Sequence, residues 1–388
     1  MQKGLVIEMK ICMILPHFYP YVGGGEKLFY DLGKGLVARG HEVRVVTMCV
    51  DDEYSGHKKI DGMDVWYCKW KAMFDHPIIS SKDVEEHVKW CDIVHASIFT
   101  PAHTASKLAR KYHKPSVLTV HEVRGTKWYW TTDFVHATGF LMVEEYSCRQ
   151  PFDVYHAVSD STKRDFHKFC GKNKKVIRVY NANEMNPKIA ENSRIDVREY
   201  FGIPQTDKVF LYYGRPGQTK GIYVYLNAIR RLRERNVSLD GYKFCFILGA
   251  EPADLRRKYI KNIHKYGLED IMLIRDSLPR EDLSRCIQQA DCVVVPSLTE
   301  GFGFSALEAC QMGQKLIYSD GCSLPEVVYG KCLGFRNRDD HDLADKLQSV
   351  IEQGDEAFDT IPEKHFTYES MIEGIIKIYQ DLMKQKEL

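Results

Sequence analysis

Short apolar runs alternate along the chain with stretches in which apolar residues recur at helical spacing. Residues 9–15 predict a first buried strand, the helical pattern after them ends at Gly40, and residues 42–49 predict a second strand. The turn that leads into this helix is the triplet Gly23-Gly24-Gly25. Because glycines carry no Cβ and the free N–H groups of a helix start attract anions, the turn is a candidate ligand site. A flexible turn at the edge of the sheet is the alternative.

The same alternation continues through the chain, except between residues 51 and 89, where the pattern is mixed and predicts little. Further strands are predicted at residues 93–96, 116–120, 209–213, 244–249, 271–274, 292–295 and 315–319. Strands that alternate with helical patterns indicate an α/β fold with parallel sheets.

The length of 388 residues is too great for one ordinary core and predicts two domains of similar size. A turn-rich segment at residues 180–187 is typical of a domain boundary. We therefore predict an N-terminal domain over residues 1–182 and a second domain over residues 183–365. The amphipathic pattern within residues 366–388 predicts a helix that packs back across the domain junction.

Composition places the chain among ordinary globular proteins, with 44% hydrophobic and 28% charged residues. The 54 basic and 53 acidic residues nearly cancel, so the net charge does not favour a nucleic-acid partner. Twelve cysteines without a C-x-x-C pair are typical of reduced thiols. The N-terminus is too short and too charged for a signal sequence, and no apolar run is long enough to span a bilayer. We expect a cytoplasmic protein, with peripheral attachment to the inner face of the membrane as the alternative.

One motif follows the predicted strand at residues 292–295. Pro296 ends that strand, and the segment Glu300-Gly301-Phe302-Gly303-Phe304-Ser305-Ala306-Leu307-Glu308 then leads into a helical pattern. The glycines allow a ligand to approach the backbone, and the two carboxylates suit sugar or ribose hydroxyls. A capped helix with a surface glutamate at each end is the alternative. We favour a binding site because the interleaved phenylalanines, expected to be exposed, have no other purpose in a capped turn.

Two further candidates follow predicted strands. Arg215 and Lys220 stand in a glycine-bounded loop after residues 209–213. The forked guanidinium of an arginine and the compact ammonium of a lysine are both suited to binding a diphosphate. The loop lacks the G-x-x-x-x-G-K-[ST] spacing of a nucleotide-hydrolysing P-loop. His121 follows residues 116–120, at the strand end where ligands bind in open α/β sheets, although a hydrogen-bonded structural histidine is the commoner case.

These motifs together resemble those of the retaining GT-B glycosyltransferases of glycosyltransferase family 4. The resemblance rests on four segments. In the second half of the chain they are Glu300 to Glu308 with residues 319–328, and the G-R-x4-K-G motif that contains Arg215 and Lys220. In the first half they are Gly23-Gly24-Gly25-Glu26 and residues 119–122, which read T-V-H-E where the family has T-x-H-D. Besides Glu122, which replaces the aspartate of T-x-H-D, two places depart from the family pattern. Tyr180-Asn181-Ala182 stands where P-N-G is usual, and Cys322 stands where glycine is usual.

The resemblance implies an α/β GT-B fold in which two Rossmann-like domains face each other across a cleft, the first binding the acceptor and the second the nucleotide-sugar donor. It implies catalytic roles for Glu300, His121, Arg215 and Lys220. It implies donor contacts from Gly23, Gly24, Arg215, Lys220, Glu300, Gly301, Phe302, Gly303, Phe304 and Glu308. No metal or other cofactor is expected, because the two cations neutralise the diphosphate.

Two features bear on the acceptor. The loop at residues 127–134 is rich in aromatics, and we predict that Trp128 and Trp130 form an acceptor wall, with core packing as the alternative. Seven cations follow between residues 163 and 178, and they predict contact with an anionic membrane surface unless they form an ordinary solvated face. These cations are Lys163, Arg164, Lys168, Lys172, Lys174, Lys175 and Arg178.

The predicted function is retaining transfer of a sugar from a nucleotide-diphosphate sugar to a saccharide or a lipid-linked acceptor, in the synthesis of glycans, cell-envelope polysaccharides or glycolipids. A UDP-sugar is the favoured donor and GDP-mannose the second choice. One alternative is a GT-B protein that binds nucleotide-sugars without catalysis. The other is an NAD-type oxidoreductase, which is disfavoured because the first turn lacks the G-x-G-x-x-G spacing.

Overall fold

The computed structural model describes residues 8–21, 23–73 and 76–386, so most of the N-terminus on which the signal-sequence prediction rests lies outside the described residues. The chain divides into two compact units. Unit 1 comprises Met1–Ala182 and Phe366–Leu388, and unit 2 comprises Asn183–His365. The acceptor-binding and donor-binding roles of the units stay predictions.

Unit 1 is built on a sheet whose central strands are buried from end to end. Its strands are β1 Lys10–Ile14, β2 Glu42–Met48, β3 Gly56–Ile60, β4 Met63–Cys68, β7 Ile93–Ser97, β8 Ser116–Val120, β9 Val154–Ala157 and β10 Val176–Arg178, and the short hairpin β5 Lys71–Met73 and β6 His76–Ile78 lies apart. In the described part of the unit the order is β10-β9-β8-β7-β1-β2-β4-β3. Neighbours run parallel except β3 and β4. Complete burial of β7 and β8 requires cover on both faces, as in other parallel sheets.

That cover comes from helices that follow the strands. They are α1 Gly24–Val37, α2 Ser81–Trp90, α3 Thr100–Lys111, α4 Phe134–Arg149, α5 Asp160–Cys170 and, from the end of the chain, α14 Tyr368–Lys386. Ser159 caps α5, because its hydroxyl accepts a hydrogen bond from the Thr162 N–H at 3.0 Å. No helix of the described residues is long and apolar enough to cross a membrane.

The C-terminal helix α14 packs closely on α1. A Cβ added to Gly35 would lie 2.1 Å from Ile372 Cδ1, and one added to Gly374 would lie 2.8 Å from Val179 Cγ1. Beside the first contact, Arg39 pairs with Glu369 at 2.5 Å. The two glycines therefore let α14 pack closely on the rest of unit 1, because a side chain at either position would force the surfaces apart.

A buried chain of hydrogen bonds joins α14 to the middle of the sheet. Tyr379 OH lies 2.5 Å from His95 Nδ1, His95 Nε2 lies 2.7 Å from Thr119 Oγ1, Thr119 Oγ1 lies 2.9 Å from His156 Nδ1, and His156 Nε2 lies 2.9 Å from the Val179 carbonyl. Burial lowers the pKa of His156 to about 4 and that of His95 well below its ordinary value, so both rings are neutral. The carbonyl accepts only, so His156 must donate to it, Thr119 to His156, His95 to Thr119 and Tyr379 to His95.

Unit 2 repeats this architecture around a second sheet. Its strands are β11 Lys208–Gly214, β12 Tyr242–Leu248, β13 Met272–Asp276, β14 Cys292–Val295, β15 Leu316–Ser319, β16 Gly330–Phe335 and β17 Asp359–Ile361. Its helices are α6 Pro187–Glu191, α7 Val197–Phe201, α8 Ile222–Glu234, α9 Ala253–Lys265, α10 Arg280–Gln289, α11 Phe304–Gln311, α12 Leu324–Val327 and α13 Asp340–Gln353. In the described part of the unit the order is β13-β12-β11-β14-β15-β16-β17, parallel except at β17. Strands β11 and β14 are therefore neighbours, and the loops after them meet.

Candidate functional site

Two loops of unit 2 meet at the carboxyl ends of β11 and β14. The first loop, residues 215–221, carries Arg215 and Lys220, and the second, residues 296–303, carries Glu300. Their backbones are joined, since the Leu298 N–H donates to the Thr219 carbonyl at 2.7 Å. The two motifs that the sequence predicts for the donor therefore lie side by side, although 80 residues separate Lys220 from Glu300.

The two loops approach each other closely at Gly221. Its φ is +67°, and a Cβ added there would lie 1.7 Å from the carbonyl oxygen of Pro296. That distance is shorter than any tolerated contact, and the atom it meets belongs to the backbone and cannot rotate away. Glycine is required here both for the left-handed conformation and for the space.

Lys220 and Glu300 form an ion pair across the joined loops. Lys220 Nζ donates to Glu300 Oε1 at 2.7 Å, and the Ser297 hydroxyl donates to the same oxygen at 2.8 Å. The Glu300 side chain is 14% exposed and that of Lys220 is 34% exposed, so both groups keep some access to solvent. Glu300 Oε2 accepts no hydrogen bond from any described residue, which leaves a carboxylate oxygen able to accept from a ligand.

The loops after β15 and β16 support the second loop. The Ser323 hydroxyl, after β15, donates to the Glu300 carbonyl at 3.0 Å, and Asn337 Nδ2, after β16, donates to the Leu298 carbonyl at 2.9 Å. Cys322 has a φ of +57°, in the region that favours glycine. The cysteine thus adopts a backbone conformation that suits the glycine usual at this position in the family.

Glu308 lies on α11, one turn from its start, next to β11. The Tyr213 hydroxyl, at the end of β11, donates to the Ser305 carbonyl at 2.7 Å. Burial raises the pKa of Tyr213 well above its ordinary value, and the neighbouring Glu308 carboxylate raises it further. Glu308 is therefore held near the same strand that leads to Arg215.

Arg215 is the exposed cation of this group. It follows β11 directly, and its stem lies 3.7 Å from where a Cβ at Gly249 would be. Its guanidinium forms no hydrogen bond or ion pair with the residues that the structure describes. The exposed guanidinium, in the same loop as Lys220, therefore leaves its forked donors available to an anion.

The phenylalanines of this segment do not match the prediction that both are exposed. Phe302 is buried, with 3% of its surface exposed, and Phe304 is half-buried with its ring 5.2 Å from that of Phe302. Beside them, Gly303 has a φ of +100°, and a Cβ there would lie 2.6 Å from Leu324 Cδ2. Phe302 therefore stabilises the loop from inside, and the prediction that its ring is exposed is wrong.

In unit 1 the glycine turn and His121 lie together. Gly23 precedes the first turn of α1 and Gly24 begins it, while a Cβ added to Gly25 would lie 3.1 Å from His121 Nε2. The third glycine of the triplet thus makes room for the histidine ring. Gly24 itself is exposed at the helix start.

His121 is held on several sides. Its Nε2 lies 3.2 Å from the Ser97 hydroxyl, its carbonyl accepts from Thr162 at 3.4 Å, and the Phe29 ring packs edge-on against it. Burial lowers the pKa of His121 to about 4, and His156 lowers it further. His121 is therefore neutral at physiological pH and acts as a polar contact rather than a cation.

The aromatic loop forms a 3₁₀ helix, Gly125–Trp130, anchored by the buried carboxylate of Glu144. Glu144 accepts from the backbone N–H groups of Arg124 and Gly125, at 2.8 and 2.7 Å, and from Trp128 Nε1 at 3.1 Å. The Trp128 ring also stacks under the Arg124 guanidinium at 4.3 Å. Trp128 is thus tied into the unit, whereas Trp130 is 40% exposed. The sequence gives no sign of Glu144, since a glutamate in a helix usually faces solvent.

The cationic stretch lies on α5 and the turn after it. Lys168, Lys172 and Lys175 are exposed. Other members have partners, such as Arg178, which pairs with Asp160 at 3.4 Å. Asp165, the acid within the stretch, pairs with Lys127 at 2.7 Å and so ties the aromatic loop to α5.

Two protein-family models match successive parts of the chain. The model described as Glycosyltransferase Family 4 matches residues 22–183, almost wholly within unit 1. The model described as Glycosyl transferases group 1 matches residues 193–364, within unit 2. Together they account for most of the sequence.

Known proteins are similar over nearly the whole length. The N-acetyl-alpha-D-glucosaminyl L-malate synthase of Bacillus anthracis is 23% identical over 386 aligned residues, covering 94% of this chain and 96% of that protein. Sucrose-phosphate synthase from Thermosynechococcus elongatus has a TM-score of 0.78 at 18% identity, covering 97% of this chain and 100% of that one. HepE from Anabaena, solved with UDP and glucose, has a TM-score of 0.74 at 15% identity, covering 96% and 100%. These likenesses show a GT-B fold with two Rossmann-like domains.

Proposed function

The chain belongs to the group 1 and family 4 glycosyltransferases, and on this premise we propose that it transfers a sugar, with retention, from a nucleotide-diphosphate sugar to a saccharide or lipid-linked acceptor. A UDP-sugar is the favoured donor and GDP-mannose the second choice. The observation that carries the proposal is the Lys220–Glu300 pair at 2.7 Å, fixed by two joined loops, with one carboxylate oxygen open and Arg215 exposed nearby.

In the proposed reaction the bond between the anomeric carbon and the diphosphate breaks while the acceptor oxygen bonds to the same face of that carbon. The acceptor proton passes to the departing phosphate oxygen. Negative charge grows on the leaving diphosphate, and Lys220 and Arg215 stabilise it more in the transition state than in the ground state. This charge compensation by fixed cations requires no metal, so we expect transfer to persist in EDTA.

The carboxylates and His121 have proposed binding roles. Glu300 Oε2 accepts from a hydroxyl of the transferred sugar, and Glu308 accepts from the ribose hydroxyls. His121, neutral and fixed beside the glycine turn, contacts the sugar or the acceptor. The donor contacts of Gly23, Gly24 and residues 301–304 are proposed on the family resemblance alone.

The experiment that tests the proposal is Lys220→Ala, assayed by release of nucleoside diphosphate in the presence of acceptor. We expect turnover to fall by about 10³-fold, because a charge-assisted contact to the leaving group is lost. Lys315→Ala is a matched control, because Lys315 also pairs with a carboxylate in unit 2, Asp355 at 2.5 Å. Lys315 precedes β15, at the opposite edge of the sheet, so its loss should leave turnover near normal. Near-normal transfer by Lys220→Ala, with an unchanged melting point, would refute the assignment.

The donor can be identified by a thermal-shift screen against UDP, GDP and ADP and their sugars. A ligand that binds only the folded chain raises the melting temperature by mass action, so the true nucleotide gives the largest shift. The same shift should shrink in Arg215→Gln. A nucleotide-sugar that binds without slow hydrolysis or transfer would favour the non-catalytic alternative.

A peripheral membrane location is proposed on a surface of unit 1. Trp130 is 40% exposed, and Phe134 and Val135, at the start of α4, are 73% and 76% exposed. The Lys127–Asp165 pair ties this aromatic segment to the cationic stretch on α5. Exposed aromatics beside cations suit an anionic bilayer surface, where a lipid-linked acceptor would be found. Flotation with anionic but not zwitterionic vesicles, lost in Phe134→Ser with Val135→Ser, is the expected result.

A further inference from the structure

Unit 1 contains a cavity of about 780 Å³ that none of the proposed roles uses. Its walls are the last turns of α3, the turn at residues 113–114, the segment at residues 150–153 and Lys386 of α14. It lies at the amino end of β8, which begins at Ser116, whereas His121 follows the carboxyl end of that strand. A strand of five residues separates the two ends by roughly 15 Å, so the cavity and the glycine turn are at opposite edges of the sheet.

Among the described residues that line the cavity, five lysine and arginine side chains stand against one carboxylate. The cations are Lys107, Arg110, Lys111, Lys114 and Lys386. The single carboxylate among the described lining residues is Asp153, which already accepts from the Ser116 N–H at 2.8 Å and from its hydroxyl at 2.9 Å. Asp153 therefore helps to hold β8, and its one negative charge against five cations leaves the walls with a net positive charge.

Three of these cations have no counter-charge in the described part of the chain. Lys111 pairs with Glu85 at 2.5 Å, and Lys386 donates to the carbonyl of His113. Lys107, Arg110 and Lys114 form no ion pair with a described residue. Cations that face one another across a concave space repel, and an anion between them removes that repulsion.

The shape distinguishes this cavity from an ordinary solvated helix face. Lys107, Arg110 and Lys114 follow helical spacing on or just after α3, and this spacing alone would indicate only an ordinary solvated face. Residues 150–153 and Lys386, from distant parts of the chain, close the space opposite them. The resulting volume lies within the range of small-molecule sites, about 300–1,000 Å³.

We propose that this cavity binds a polyanion that carries at least two phosphate groups, at a site separate from the sugar donor. The cations come from α3, from the turn after it and from α14, so a ligand with several phosphate groups would reach more of them than a single phosphate would. Arg110 provides a fork for bidentate contact with one phosphate, and the lysines provide point charges for others. The phosphates belong either to a free compound or to a lipid head group, and the experiment separates these sources.

The test is calorimetric titration of the full chain with tripolyphosphate, in the Lys220→Ala background, which weakens uptake of the probe by the proposed donor site. We expect saturable binding that weakens as salt rises. Replacing Lys107, Arg110 and Lys114 together by Gln should weaken it by at least about tenfold. The matched control replaces Lys168, Lys172 and Lys175, exposed cations of the same unit, by Gln, and should change the affinity less than about twofold.

Competition identifies the source of the phosphate. Vesicles that carry a phosphatidylinositol phosphate displace tripolyphosphate if the natural ligand is a lipid, and leave it bound if the ligand is a free compound. The absence of saturable binding, or an equal loss in both triple variants, overturns the proposal. The UDP-induced rise in melting temperature, measured on the chain with an intact Lys220, tests the donor site separately, so the two proposals can fail independently.

Discussion

Replacing Gly221 by Ala tests whether the close approach of two loops builds the donor site. The substitution adds a methyl group that would lie 1.7 Å from the Pro296 carbonyl oxygen, so that backbone must move by at least about 1 Å. The left-handed conformation costs an alanine about 1–2 kcal/mol. Loss of the Leu298 to Thr219 hydrogen bond adds about 1 kcal/mol, and disturbed packing adds to this. We expect a total destabilisation of roughly 3 kcal/mol.

Gly267→Ala provides the matched control. Gly267 has a φ of +62°, nearly the same as the +67° of Gly221, but a Cβ there would meet nothing within 4 Å. It should cost only the conformational term, about 1–2 kcal/mol. The difference between the two variants therefore isolates the clash between the loops.

The assay should report on unit 2 directly. The five tryptophans all lie before residue 131, so tryptophan fluorescence reports on unit 1 and should be unchanged in both variants. Hydrogen exchange at the Leu298 amide should accelerate in Gly221→Ala, because its acceptor moves away. Since Lys220 adjoins the substituted residue, kcat/KM should fall about 100-fold. If Gly221→Ala behaved no worse than Gly267→Ala in either measurement, the loops would not depend on this contact.

Two other predictions concern unit 1. Burial lowers the pKa of His87, His121 and His156 to about 4 from an ordinary 6.5. Between these values the unfolded chain binds more protons than the folded chain, so the stability of unit 1 should fall as the pH drops from 6.5 to 4. A melting temperature of unit 1 that does not depend on pH in this window would contradict the prediction. Glu144→Gln places an amide N–H against N–H donors, so it should lower the stability of the fold by about 1–3 kcal/mol and shift the fluorescence of Trp128. The control is Glu145→Gln, because Glu145 is exposed and pairs only with Arg149 among the described residues, and it should change neither quantity.

The alternation of apolar runs with helical patterns was enough to predict the parallel sheets, because strands such as β7 and β8 are buried on both faces. Few elements could be predicted in residues 51–89, because β3, Gly56–Ile60, is an exposed edge strand without an apolar pattern. Its hairpin had a readable signal. Asp61-Gly62 joins Ile60 to Met63, with φ values of +45° and +84°, as expected for an Asp-Gly turn.

The candidate site was predictable where its chemistry lies in short motifs, and less so where it depends on contacts between distant residues. The Lys220–Glu300 pair joins two motifs that the sequence marks separately. The direction of the Phe302 ring is decided by tertiary neighbours, which a Gly-Phe-Gly-Phe pattern does not reveal. The anchoring of Trp128 by Glu144 was not visible for the same reason, since 16 residues separate them.

The hydrogen-bond chain that begins at Tyr379 has a consequence for how the protein is made. Unit 1 needs Phe366–Leu388 as well as Met1–Ala182, so the ribosome must translate all of unit 2 before unit 1 can be completed. Until then His95 lacks the hydrogen bond from the Tyr379 hydroxyl, and the surface around Gly35 that packs against Ile372 stays exposed to solvent. Unit 1 of the nascent chain therefore cannot complete its packing until residues 366–388 have left the exit tunnel.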